Sequence, residues 1–245
     1  MNFYTDEPSV QESKPHTIKQ HISMEALQQN QLSAGGWNPA EARMSFFRKP
    51  ITNHRPCGEV TLFWLYQYMR SPEARPETEA LRAIACEQGL AADAVKEKQR
   101  QYKGQHLDWV TPSGVFAYAN DASIVEHSHV LCMDLDDICP LQEVSLEGGD
   151  AVDELKNRLI DDPLFNTLMA FRSPRGNGLK WLIKIDLTKC DHRSWFTGVR
   201  NYLMATYHLT DEQVDKHCGN PSRACYLTHD PDVYLRTDLI ENFCI

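Results

Sequence analysis

Apolar residues in this chain recur with two different periods, and the change of period divides it. Leu62, Leu65, Tyr66 and Met69 lie three and four apart ahead of Ser71-Pro72, and Leu81, Ile84 and Ala85 follow Pro76 and precede Gly89. That spacing lines one face of a helix, with proline opening it and glycine closing it. A third helix is predicted over 91–102, and around its end stand Lys96, Lys98, Arg100 and Lys103, either a solvated face or a phosphate-contacting rim. Before these helices, Met44 to Phe47 reads as a first strand closed off by Pro50.

Beyond residue 112 the period shortens. Ser113-Gly114-Val115-Phe116 turns into a strand, and His129–Asp136 alternates as a half-buried strand does. Asp150 and Asp153 open a helix carrying Val152, Leu155 and Leu159, and Asp191 opens another with Trp195, Val199, Tyr202 and Leu203 on one face. Strands at 167–171 and 179–185 flank a glycine-containing loop, and Arg223–Thr228 reads as a last strand. The fold class is mixed α/β (α+β), with a helical first part over 41–125 and a sheet-rich second part over 126–245. Residues 1–40 keep no apolar period and are read as a mobile or loosely docked leader.

Composition narrows the class. With 42% hydrophobic residues over 245 positions the chain buries a core, and no apolar run approaches a membrane span. No signal segment follows Met1, so a cytoplasmic location without membrane partners is expected. Eight scattered cysteines without CxxC are expected to stay reduced. Cys190, His192, His217 and Cys218 have only loose zinc-ligand spacing, so zinc is not expected.

The net charge of −9 argues against indiscriminate coating of nucleic acid, yet the charges are segregated. From Asp134 to Asp162 ten acids, Glu143 and Glu147 among them, face two bases, whereas between 170 and 200 seven bases face two acids. An acidic block beside a basic one suits a metal next to phosphate; the alternative is two solvated faces.

Three elements carry candidate chemistry. In Val130-Leu-Cys-Met-Asp134-Leu-Asp136-Asp137 a strand's period of two puts Asp134 and Asp136 on one face and Leu131, Met133 and Leu135 on the other. Paired carboxylates repel, a divalent cation relieves the repulsion, and Asn at either position is expected to raise the melting temperature of the metal-free protein. The alternatives are a solvated strand end or the DxD of a glycosyltransferase, the latter disfavoured because no Gly-rich sugar-nucleotide turn precedes it. Second, Ser173-Pro-Arg175-Gly176-Asn-Gly178-Leu-Lys180 is a turn between strands whose glycines permit close approach, so its amides suit phosphate oxygens; a plain hairpin with solvated lysine is the alternative. Third, Val214-Asp215 precedes Arg223, whose planar fork suits a triphosphate; alternatively Asp215 only supports a helix terminus.

The order of these elements resembles the three-motif layout of the archaeo-eukaryotic primase superfamily, and more closely its bacterial VirE N-terminal-type branch. Ser113–Phe116, the DxD, Ser173–Lys180 and Ser222–Tyr234 carry the resemblance, over about 80–235. It implies a primase-polymerase-type nucleotidyltransferase of a chromosome-borne or mobile element, with a helical αβ lobe packed on an RRM-like lobe and the site in the cleft. Asp134, Asp136 and Asp215 would hold two catalytic metals, Mg²⁺ or Mn²⁺. Ser173, Arg175, Gly176, Gly178, Lys180 and Arg223 would bind the incoming nucleoside triphosphate. Many primases have histidine where Lys180 stands, which leaves proton donation to pyrophosphate open. Partners would be a single-stranded or primed DNA template and a separate helicase, since no P-loop occurs in the chain. The rival class keeps the fold without turnover, as a nucleic-acid-binding or replication-initiation module.

Overall fold

The two periods fold into two four-stranded antiparallel sheets that exchange strands late in the chain. The structure is a computed structural model that describes residues 38–138 and 150–241; most of the expected leader, Cys139, Cys244, and the acids Glu143 and Glu147 lie outside the described residues. The fold includes the last residues assigned to the leader, because Asn38 accepts a hydrogen bond from the Ala40 amide (3.1 Å) and Ala40 is buried in the core.

The first sheet runs β2-β1-β3, with β1 Arg43–Phe47, β2 Gly58–Thr61 and β3 Trp109–Thr111. Phe47 and Trp109 pair across β1 and β3 with stacked rings 3.8 Å apart. Between β2 and β3 come the helices: α1 Leu62–Arg70, α2 Arg75–Ala83 and α3 Ala92–His106. Thr61 caps α1 by accepting the Trp64 amide at 3.2 Å, and Leu62, Leu65 and Met69 bury its apolar face. A two-stranded hairpin follows, β4 Gly114–Phe116 and β5 Ile124–His127.

The second sheet holds β6 Val130–Leu135, β7 Thr167–Arg172 and β8 Leu179–Lys184, in the order β7-β8-β6. Helices α4 Ala151–Ile160 and α5 His192–Thr206 cover one face, capped by Asp150 and Asp191 on the amides of Val152 (2.9 Å) and Ser194 (2.7 Å). Alternation assigns the faces. Leu131, Met133, Leu135, Trp181 and Ile183 pack with Leu155, Trp195 and Val199 under these helices. Val130, Leu168, Phe171 and Leu182 pack instead with Met44, Leu62, Leu65 and Val110 of the first part. A sheet covered on both faces reads as a nearly continuous buried run, as β7 and β8 do.

The expected strand over Arg223–Thr228 shortens to β9 Cys225–Tyr226, and β9 pairs with β3. It therefore closes the first sheet, while β10 Tyr234–Leu235 joins β7 in the second. A boundary at 125/126 does not separate the sheets, and the second core includes residues from both sides of it. The last element among the described residues is α6 Thr237–Glu241. The described residues include no helix long and apolar enough to cross a membrane.

Candidate functional site

At the end of β6 the chain meets three other segments. Asp134 pairs directly across the ladder with Lys180 of β8, and their side chains form an ion pair. Lys180 is only 6% exposed. Burial opposes its charge, but the Asp134 carboxylate outweighs this and raises its pKa. The solvated-lysine reading of this hairpin therefore does not describe Lys180. Asp134 Oδ1 is buried and has no hydrogen-bond partner.

The segment around Val214 lies along the same strand end. Val214 forms an antiparallel bridge with Leu135, the Asp136 amide donates to Gln213 O (2.8 Å), and the Asp215 amide donates to Asp134 O (3.3 Å). Arg200 of α5 fixes this segment by donating to Val214 O at 3.3 Å and by pairing with Asp211. Asp215 thus stands beside Asp134 through backbone pairing across 81 positions of sequence. A 3-10 turn, Lys216–Gly219, follows, and such a turn puts residues three apart on one face. Cys218 accordingly reaches back, its thiol donating to Asp215 Oδ2 at 3.5 Å. Burial, then the Asp134 charge, raises the pKa of that thiol. Asp134, Asp215 and Cys218 each offer a ligand atom within 4.8 Å of the others, the one such group among the described residues. Arg223 pairs with Asp215 (2.7 Å), and Cys132, Cys225 and Asn220 complete the small pocket.

Asp136 is not in this group. The strand stops at Leu135, and at Asp137 the backbone enters the left-handed region (φ 48°), so the expected alternation ends one residue too early to bring Asp136 inward. Its carboxylate instead accepts from Arg175 at 2.8 Å, while Asp137 accepts from Asn177 (2.6 Å) and pairs with Lys96 of α3 (2.9 Å). The 173–178 loop is thereby tied down on two sides, since Arg82 of α2 donates to the carbonyls of Pro174 (3.1 Å) and Ser173 (3.4 Å).

The glycines of that loop have work that needs no ligand. Gly176 takes a φ of 91°, and its amide is spent on Ser173 O (2.9 Å) within the turn. A side chain on Gly178 would run into the Leu135 carbonyl and approach Ser173 Oγ to 3.0 Å, so its smallness lets the loop lie against β6. Ser173 is buried, and its Oγ has no partner.

One face of α3 completes the surroundings. Asp93, Lys96, Glu97, Arg100, Lys103 and Arg175 line an open groove beside the loop. Lys103 lies 5.0 Å over the Tyr226 ring, and burial together with the nearby charge of Lys180 lowers its pKa. Of the loose zinc set, His192 lies with its Nδ1 3.1 Å from His127 Nε2, and Cys218 joins the two aspartates. The side chain of His217 lies outside the described residues.

Sequence reading had not placed Cys218 with the aspartates; its position three after Asp215 was the available signal. Cys132 and Cys225 carried none, because their meeting depends on the two sheets closing over each other. Residues 102–235 match the family described as BT4734-like, N-terminal domain. No curated protein and no solved structure matches.

Proposed function

From a chain that belongs to the BT4734-like N-terminal domain family, we propose a metal-dependent nucleotidyltransferase of primase-polymerase type, acting in replication of a chromosome-borne or mobile element. The observation that carries this reading is the convergence of Asp134, one of whose carboxylate oxygens has no partner, with Asp215, distant in sequence, between the cations Lys180 and Arg223. The donor set fits a divalent cation: two half-buried carboxylates and a buried thiol converge within 4.8 Å, and one carboxylate oxygen has no hydrogen-bond partner. In this reading the first sheet with its helices is the αβ lobe, the second sheet with α4 and α5 is the RRM-like lobe, and the site opens between them.

When bound, a divalent cation would supply charge neutralisation for a triphosphate and lower the pKa of an attacking hydroxyl. Asp134 and Asp215 would hold it, with Asp136 on the outer side of the same strand end. Arg223, half-exposed, exchanges Asp215 for phosphate oxygens and grips them with its planar fork. Arg175 and Lys103 bring further positive charge to the groove, where a primed or single-stranded template lies along Lys96 and Arg100. Lys180 pairs with Asp134 and orients it; as a lysine with a raised pKa it holds its proton, so donation to pyrophosphate falls to water or another group.

A second reading, a binding or initiation module serving a separate helicase, draws on those same ion pairs, because Lys180 and Arg223 already balance the charge of both carboxylates. Incubation with primed template, labelled nucleotides and Mn²⁺ decides between them. Nucleotidyl transfer gives extended product that disappears in Asp215→Asn. Template retention without any extension supports the module.

A further inference from the structure

The cation position between the two aspartates has a sulfur on its third side. Cys218 Sγ lies within 4.8 Å of the Asp134 and Asp215 oxygens, is held on the Lys216–Gly219 turn, and is 3% exposed. Asp134 Oδ1 is buried without a hydrogen-bond partner, although Lys180 takes Oδ2 of the same carboxylate. The other thiols of the pocket lie outside the group: Cys132 directs its thiol to the Met133 carbonyl, 4.0 Å away, and neither Cys132 nor Cys225 offers a ligand atom to the cluster of Asp134, Asp215 and Cys218. Asp136 is engaged with Arg175.

Resting on the reading of this cluster as a cation position, we propose that Cys218 is a direct ligand of that cation, as a thiolate beside Asp134 and Asp215. The position therefore takes a thiophilic divalent ion, Zn²⁺ or Co²⁺, in strong preference to Mg²⁺. A purely carboxylate site suits hard cations such as Mg²⁺, whereas a thiolate shifts preference toward softer first-row ions. On binding, the S–H bond breaks, its electron pair becomes the sulfur–metal bond, and the proton leaves to solvent; no electrons change hands. Three protein ligands leave a coordination position for a phosphate oxygen or water, the pattern of a working rather than a sealed site. Arg223 stands half-exposed on Asp215 and yields that carboxylate without opening the core.

The test is titration of the full, reduced chain with Co²⁺, followed by near-ultraviolet absorbance, in parallel with calorimetry. A sulfur–cobalt charge-transfer band saturating at one equivalent is expected. The band is lost in Cys218→Ser, which still binds Co²⁺ about tenfold or more weakly through its aspartates, and it persists in Cys132→Ser and Cys225→Ser. Zn²⁺ displaces the band and excess Mg²⁺ does not. Calorimetric binding by the unaltered chain without a charge-transfer band overturns sulfur ligation, whatever the folding of the variants, and leaves the carboxylate site and nucleotidyl transfer standing. A band that survives Cys218→Ser, or yields equally to Mg²⁺, also overturns the proposal. No Co²⁺ binding at all removes the cation position itself, and the reading above with it.

Discussion

The two aspartates of the DxD stand two residues apart and live in different surroundings. Asp134 is inside the ladder, its side chain 14% exposed and paired with a buried lysine. Asp136 is just past the ladder, its side chain 31% exposed and paired with Arg175 on a surface loop. Sequence treats them as equivalents on one strand face; the structure makes one a member of the core and the other a clamp for the 173–178 loop. The difference teaches that side-chain periodicity predicts direction only while the backbone pairing that enforces it continues.

The largest expected effect follows from the inner aspartate. Asp134→Asn leaves Lys180 buried without its counter-charge, and breaking such a pair costs about 3–5 kcal/mol. The rise in melting temperature expected from relieving carboxylate repulsion is therefore replaced by a fall, because Asp134 faces a cation rather than Asp136. Urea denaturation measures it, and a double variant Asp134→Asn, Lys180→Met is expected to recover most of the loss. An Asp134→Asn protein as stable as its parent would break the comparison.

Next in size is the effect of removing Arg223. Arg223→Ala is expected to weaken nucleoside triphosphate binding by about 1.5–3 kcal/mol while changing monophosphate binding little, since a charge-assisted contact to the β/γ end is lost. Equal losses for both ligands would move Arg223 out of the phosphate pocket.

Smaller still is the outer aspartate. Asp136→Asn weakens a partly exposed pair, and a change below about 1 kcal/mol in stability is expected, with Co²⁺ binding kept. Loss of metal affinity equal to that of Asp215→Asn would restore Asp136 as a ligand.

The smallest expected effect tests the same rule at a distance: a buried group keeps its charge only where an opposite charge meets it. His127 and His192 meet each other instead. Burial first, then the neighbouring imidazoles, lowers His127 to about 3, and burial lowers His192 to about 4 against the pull of Asp121. Both stay neutral in the fold while the unfolded chain takes up protons below its ordinary value of 6.5, so their effect is absent above that pH and stability is lost as pH falls from 6.5, toward about 4 for His192 and about 3 for His127. His192→Gln, which removes one titration, is expected to make the acid-side fall in melting temperature shallower than in the parent; an identical slope would count against it.

Much of the scaffold was legible because local chemistry fixes it. The caps Asp150 and Asp191, the apolar faces of α1 and α5, and the alternation of β6 all followed from spacing. The site was legible in part: Asp134, Asp215, Lys180 and Arg223 do come together. What escaped was set by partners remote in sequence. The left-handed turn at Asp137 depends on Asn177 and Lys96 arriving opposite it, the burial of Lys180 depends on the second sheet being covered on both faces, and Cys218 gains meaning only when Val214 docks on Leu135.

The return of β9 to the first sheet also governs how the chain can be made. Until residues 225 and 226 emerge, Trp109 and Val110 present an unpaired sheet edge, although everything else in that sheet has long been synthesised. Ribosomal elongation at roughly 5–20 residues per second leaves that edge open for several seconds, a window in which edge-to-edge association competes with closure. Nascent chains halted before Cys225 are therefore expected to recruit holding chaperones and to aggregate when released without them.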